Sequence, residues 1–161
     1  MKGRTMKKNI VMLLLCVTLG VYGVELDKLP TYSTHYDKQG NLHTDLSTAM
    51  QKAEKSGKKI LIVVGGEWCK WCGQLDNFLD DHEKVAELFY GSFEVVRVYY
   101  GEGISAEGKS LLTQFPPPKG TPHFYVLDSK AKLLKSIDTG YLERGYSYNK
   151  KKFVAFVEEH K

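Results

Sequence analysis

The sequence predicts an α/β fold, and three observations carry that reading. Ile60-Leu61-Ile62-Val63-Val64 has no polar alternation and is rich in β-branched residues, so it reads as a strand buried on both faces, the kind found in the middle of a parallel sheet. Directly after it, apolar residues recur at Leu75, Phe78 and Leu79, which is helical spacing. Ser92 to Tyr100 is a second strand-like run beyond that helical stretch, and a helical crossover makes the two strands parallel. At 161 residues, 42% hydrophobic and 12% aromatic, the chain suffices for one ordinary domain with its own core, and it shows no internal repeat.

The N-terminus follows a different logic. Lys2, Arg4, Lys7 and Lys8 precede the apolar run Ile10 to Leu19, and the small residues Gly20 and Gly23 follow, which together predict a secretory signal peptide over residues 1–23. The run is too short for an ordinary membrane span of about 20 residues. Cys16 sits where a bacterial lipoprotein would be acylated, but Leu15 stands where a small residue is needed, so simple secretion ranks ahead of a lipoprotein anchor. The formal charge of +4 belongs to this segment: no acid occurs before Glu25, and the 19 bases that remain after residue 23 balance the 19 acids. A near-neutral mature chain excludes the electrostatic case for nucleic acid. Cleavage there also leaves Cys69 and Cys72 alone, three residues apart, which is no structural disulfide framework; such a pair is there to be opened and closed.

Residues 24–45 form a polar N-terminal extension broken by Pro30 and Gly40, in which Tyr32 to Tyr36 predicts a short edge strand. His35 and His43 are scattered in this polar segment and read as solvated rather than as metal ligands. The globular domain is expected over residues 46–161. Asp45 or Ser47 caps a helix that runs to Ser56 with Leu46, Ala49, Met50 and Ala53 along one face, and Gly57 ends it.

The central strand then leads into Trp68-Cys69-Lys70-Trp71-Cys72, which opens a helix. Residues at i and i+3 of a first helical turn are close enough for a disulfide, and the unpaired N-H groups of that turn favour a thiolate on the first cysteine. Cys69 is therefore the expected attacking group, with Lys70 adding a nearby positive charge and Trp68 and Trp71 an apolar surface for a substrate peptide. Cys72, one turn further in, is expected to be shielded and to act second. The helix breaks near Asp80-Asp81-His82, and a second piece from Glu83 to Phe89 turns Val85, Leu88 and Phe89 inward. His82 reads as a cap or surface residue.

After the second strand, a short helix is expected from Ala106 to Gln114, and Phe115 to Gly120, with three consecutive prolines, forms a stiff connector. Phe124 to Leu127 and Leu133 to Asp138 flank Asp128-Ser129-Lys130-Ala131 and predict an antiparallel hairpin at the sheet edge. His123 reads as the start of that strand rather than as a residue facing substrate. A tyrosine-rich loop through Tyr148, to which no site is assigned, precedes a last helix that buries Phe153, Phe156 and Val157.

Ile60 to Cys72 resembles the thioredoxin superfamily, whose hallmark is a buried strand running into Trp-Cys-x-x-Cys, and the Cys-x-Trp-Cys form is most similar to secreted thioredoxin-like proteins of bacteria. Gly120-Thr121-Pro122-His123-Phe124-Tyr125-Val126-Leu127 is similar to the segment of that family in which a cis-proline faces the cysteine pair. The resemblance implies a thioredoxin fold, a central mixed β-sheet flanked by helices on both faces. It also implies a cis Thr121-Pro122 bond, with the backbone of Thr121 pairing with an extended client beside Cys69. One departure stands out: the buried acid that helps move the proton of the second cysteine in thioredoxin falls at Val63 here. Deprotonation of Cys72 then needs water, Glu67 or another carboxylate.

The expected function is an exported, periplasmic or secreted thiol-disulfide oxidoreductase. Its partners are client proteins with thiols or disulfides and a membrane redox partner; no cofactor or metal is required, and a monomer is expected. The direction of exchange, reductase or oxidase, is left open by the sequence. The alternative is a copper(I)-binding or metallochaperone domain that uses the same two sulfurs as soft ligands, which leaves the tryptophans and Thr121-Pro122 without a role.

Overall fold

A computed structural model describes residues 23–161; the proposed signal peptide and Cys16 lie outside the described residues, apart from Gly23. The central strand β1 (Lys59–Gly65) is buried along almost its whole length and pairs in parallel with β2 (Phe93–Tyr99). On its other side it runs antiparallel to β3 (His123–Leu127), which pairs antiparallel with the edge strand β4 (Leu133–Asp138). The sheet is thus four-stranded and mixed, in the order β2-β1-β3-β4.

Because side chains alternate across a strand, the sheet divides the core into two layers. Leu61, Val63, Phe93, Val95, Phe124 and Val126 face α3 (Lys70–Asp80), α4 (Glu83–Ser92) and α6 (Lys150–His160). Ile60, Ile62, Val64, Val96, Val98 and Tyr125 face α2 (Leu42–Ser56) and α5 (Ala106–Leu112). Ala49 and Ala53 are fully buried, and these small side chains let α2 lie close on the sheet. Phe78, Phe153 and Phe156 fill the opposite layer with Phe89 and Phe124 in a run of ring-ring contacts. Gly57 ends α2 in the left-handed conformation with φ 72°, as its position predicts.

Two elements differ from the sequence expectation. Tyr32 to Tyr36 is not an edge strand: α1 (Thr31–Thr34) is a single helical turn, closed by the His35 N-H donating to Thr31 O at 2.9 Å. It still lies along the outer edge of β2, but it satisfies that edge through a side chain, with Ser33 Oγ donating to Val95 O at 2.7 Å. The second helix begins a turn before Asp45 because Asn41 caps it, its Oδ1 accepting from the Thr44 N-H at 3.0 Å. In addition, a small β-ribbon of β5 (Glu143–Arg144) and β6 (Ser147–Tyr148) shapes the tyrosine-rich loop before α6.

Candidate active site

The cysteines sit where β1 hands over to α3. Cys69 is the N-cap of α3, and its Sγ accepts from the Cys72 N-H at 3.2 Å, so the sulfur does what a Ser or Asp side chain does at this position. The Cys69 N-H donates to Gly66 O at 3.0 Å, which holds the turn between strand and helix. Both cysteines are free. Cys69 keeps 5% of its surface exposed and Cys72 only 1%.

Facing them, the Thr121-Pro122 bond is cis, and the Cys69 thiol donates to Thr121 O at 3.4 Å. The two motifs, some fifty residues apart in the chain, therefore meet at one sulfur. Thr139 Oγ1 donates to Pro122 O and ties this loop to the end of β4. His123 opens β3 and is buried, with its Nε2 against Ser136 Oγ at 2.9 Å; it points into the fold, and burial holds its pKa below the usual histidine value.

The tryptophans part company. Trp68 is 57% exposed and anchored by its Nε1-H donating to Tyr100 O at 3.0 Å. Its indole lies across Gly66, where any Cβ would run into the ring. Trp71 is half-buried and meets the Tyr148 ring edge-on, centroids 5.9 Å apart, while Tyr148 Oη donates to Trp71 O at 3.3 Å. Lys70 is exposed, with its Nζ over the ring of Tyr146 at 5.5 Å. A tyrosine-rich loop to which the sequence assigned no site thus closes one side of the active-site helix.

Beneath Cys72 lies a group of residues the sequence did not bring together. Val63 is buried on the same layer as both cysteines, and its partner in the parallel register is Arg97. Arg97 is 6% exposed; it is ion-paired to Asp76, one turn after Cys72 on α3, and its Nε donates to Ser33 O at 3.0 Å. Burial opposes its charge, but the Asp76 carboxylate paired with it outweighs that and holds it protonated. The guanidinium also stacks over the ring of Tyr36, 5.0 Å from the centroid. A cavity of about 300 Å³ opens beside Cys72 and is lined by Thr34, Tyr36, Glu67 and Asp76 among others.

The Cys72 thiol is pushed up to about 12, chiefly by burial and then by its hydrogen bond with Cys69. Burial thus keeps the second sulfur of the pair neutral. Among the described residues no group of three or more His, Cys, Asp and Glu side chains converges, so a metal ion here would find two protein sulfurs and no third such ligand.

Of the residues in the site, Arg97 carried a signal, since a charge inside Val95-Val96-Arg97-Val98 must find a buried partner. Tyr36 and Tyr148 carried none, because both lie in polar segments without periodicity.

Three solved structures resemble this one. A disulphide isomerase from Xylella fastidiosa Temecula1 is 25% identical, with a TM-score of 0.64 over 77% of this chain and 94% of its own. The oxidised C-terminal domain of DsbD from Neisseria meningitidis is 17% identical, with a TM-score of 0.55 over 79% of this chain and 98% of its own. A thioredoxin from Thermus thermophilus is 23% identical, with a TM-score of 0.51 over 70% and 81%. No match is found among curated proteins. Residues 41–129, more than half of the chain and the whole stretch from α2 through β3, match the thioredoxin-like family model, and with the mixed sheet and the cysteine pair at the head of α3 in place, the chain belongs to the thioredoxin-like family.

Proposed function

We propose that this thioredoxin-like thiol-disulfide oxidoreductase works outside the cytoplasm, exchanging disulfides with client proteins through Cys69 and Cys72. The observation that carries the reading is the pair itself: a capping sulfur held between an N-H of its own helix and the carbonyl of Thr121, with a buried neutral thiol one turn behind it. The Xylella structure, a disulphide isomerase at 25% identity, supports the same chemistry. Residues 1–23 act as the export signal, 24–45 as an extension and 46–161 as the redox domain; no helix among the described residues is long and apolar enough to cross a membrane.

In the reductive direction Cys69 attacks a client disulfide as the thiolate and forms a mixed disulfide, and Cys72 then attacks Cys69 Sγ to release the reduced client. In the oxidative direction the same steps run backwards from the Cys69-Cys72 disulfide. Trp68 offers exposed apolar surface to the client, Lys70 and Trp71 flank it, and Thr121-Pro122 places a backbone strand alongside Cys69 for side-chain-tolerant pairing. A membrane redox partner resets the pair after each turnover, and no bound cofactor takes part.

The test is an equilibrium redox titration of the exported protein in glutathione and dithiothreitol buffers, read by tryptophan fluorescence. One reversible two-electron transition is expected. A potential near about −270 mV makes the protein a reductant and one near about −120 mV an oxidant. Absence of a reversible disulfide, with copper retained stoichiometrically on purification, overturns the reading in favour of a copper(I) site.

A further inference from the structure

The unanswered question at this site is what meets the charge of Cys72 when it reacts, given valine where thioredoxin has its acid. We infer that the hydroxyl of Tyr36, a residue of the N-terminal extension, is the hydrogen-bond donor that receives the Cys72 thiolate in the resolving step. This deepens the oxidoreductase reading above and rests on it.

Tyr36 is 6% exposed, and its Oη is buried with no hydrogen-bond partner among the described residues. A buried phenol ordinarily finds a partner, and an orphaned one costs about 1–3 kcal/mol, so this one needs an explanation. At Gly65, the last residue of β1, a Cβ would overlap Cys72 Sγ and would stand 3.1 Å from Tyr36 Oη. The sulfur and the hydroxyl therefore converge on one bare Cα, which leaves room for both.

Around Tyr36 stand Arg97 from β2 and Asp76 and Cys72 from α3, while Tyr90 from α4 faces the Arg97-Asp76 pair; Glu67 and His35 line the cavity beside Tyr36. Asp76 is committed to Arg97, and Glu67 is exposed. Burial raises the Tyr36 phenol well above its ordinary value despite the facing Arg97, so Tyr36 keeps its proton and is a donor rather than a base. The cation over its ring draws electron density from the phenol and strengthens it as a donor.

The step balances without a further reactant. The Cys72 proton leaves to water in the cavity that Thr34, Tyr36, Glu67 and Asp76 line. The thiolate attacks Cys69 Sγ, the bond from Cys69 to the client breaks as the Cys69-Cys72 bond forms, and the client sulfur departs with the electron pair and takes a proton from solvent. The protein is oxidised by two electrons and the client disulfide reduced. Tyr36 holds its own proton throughout and donates to the sulfur while it is charged. Position 36 lies before the stretch matched by the family model, so the extension supplies to the site what the matched stretch does not.

The experiment uses the full chain carried as the mixed disulfide of Cys69 with glutathione, and follows glutathione release from pH 6 to pH 10 in the wild type and in Tyr36→Phe. The wild type is expected to release glutathione at a rate that rises with pH across this range, and Tyr36→Phe to do so roughly tenfold more slowly throughout it, the size of one hydrogen bond to a charged group. Attack by Cys69 on oxidised glutathione, measured in the Cys72→Ser background, is expected to be unchanged by Tyr36→Phe. If that variant fails to fold, 3-fluorotyrosine at the same position keeps the shape and strengthens the donor, and faster release is expected. Equal rates and superimposable profiles overturn the Tyr36 role alone; a wild type that releases no glutathione overturns the oxidoreductase reading.

Discussion

The neutrality of Cys72 has a consequence for stability that can be isolated by pH. Its thiol is pushed up to about 12 by burial, whereas an unfolded cysteine titrates near about 8.5–9. Between those values the unfolded chain binds fewer protons than the native one, so the stability of the reduced protein falls as pH rises above the unfolded value. With the unfolded thiol at about 9, the loss at pH 10 is about 1.4 kcal/mol relative to pH 8. The buried phenols Tyr36, Tyr90, Tyr125 and Tyr148 are raised by burial as well and bias the same range, which is why the comparison is with Cys72→Ser, which retains all four. The assay is urea unfolding under dithiothreitol at pH 8, 9 and 10. With a slope near about 2 kcal/mol/M, the midpoint of the wild type should fall by about 0.7 M more than that of Cys72→Ser over this range. Parallel curves would refute the reasoning, because they would mean that Cys72 ionises in the folded protein as easily as in the unfolded one.

Two further outcomes follow from the packing under the site. Gly65→Ala places a methyl group in the sulfur of Cys72 and against the Tyr36 hydroxyl, so it should destabilise the reduced protein by about 1–3 kcal/mol in urea unfolding, as overpacking does; an unchanged midpoint would show that the sulfur moves aside freely. Asp76→Asn leaves the buried Arg97 guanidinium without its carboxylate and should cost about 1–3 kcal/mol, less than for a fully buried pair because Asp76 is 41% exposed, whereas an Arg97→Met, Asp76→Asn double variant should recover part of that loss.

How much of this was legible in the sequence depends on whether a residue's role is local. Ile60 to Val64 declared a buried strand because no residue in it has a polar side chain, and Leu75, Phe78 and Leu79 declared a helix by spacing alone; both stand as expected in β1 and α3. The parallel β1-β2 pair and the antiparallel hairpin at the β4 edge likewise followed from a helical crossover and a short turn, whereas the mixed sheet that joins them was implied by the family resemblance. Tyr32 to Tyr36 misled because aromatic and hydroxyl residues favour strands, while the packing that decides the matter is a side-chain bond from Ser33 to a strand 62 residues away. Tyr148 was illegible for the same reason: its partners are Trp71 and Phe78 on a helix that the sequence places far from it. Asn41 escapes notice because the helical stripe read from the sequence begins at Leu46, which puts the expected cap at Asp45 or Ser47, although Asn caps a helix as well as either.

What the sequence made look like a deficiency at Val63 is better understood as a redistribution of charge across two strands and a helix. Arg97 is the in-register neighbour of Val63, so a carboxylate at 63 would lie beside a buried cation as well as on the layer of the thiols. Such an acid would be held ionised by that cation and would make a poor acceptor for the Cys72 proton. The chain instead puts the carboxylate on α3 at Asp76, at the rim of the cavity, where it neutralises Arg97 and leaves the Tyr36 phenol as the buried hydroxyl that shares the bare Cα of Gly65 with the Cys72 sulfur. The two sulfurs then differ by surroundings alone. Cys69 has an N-H at its back and a carbonyl before it, and Cys72 has valine, a bare glycine and a hydroxyl that keeps its proton. That asymmetry is what supports the proposed division of labour, with Cys69 as the sulfur that meets the client and Cys72 as the one that waits.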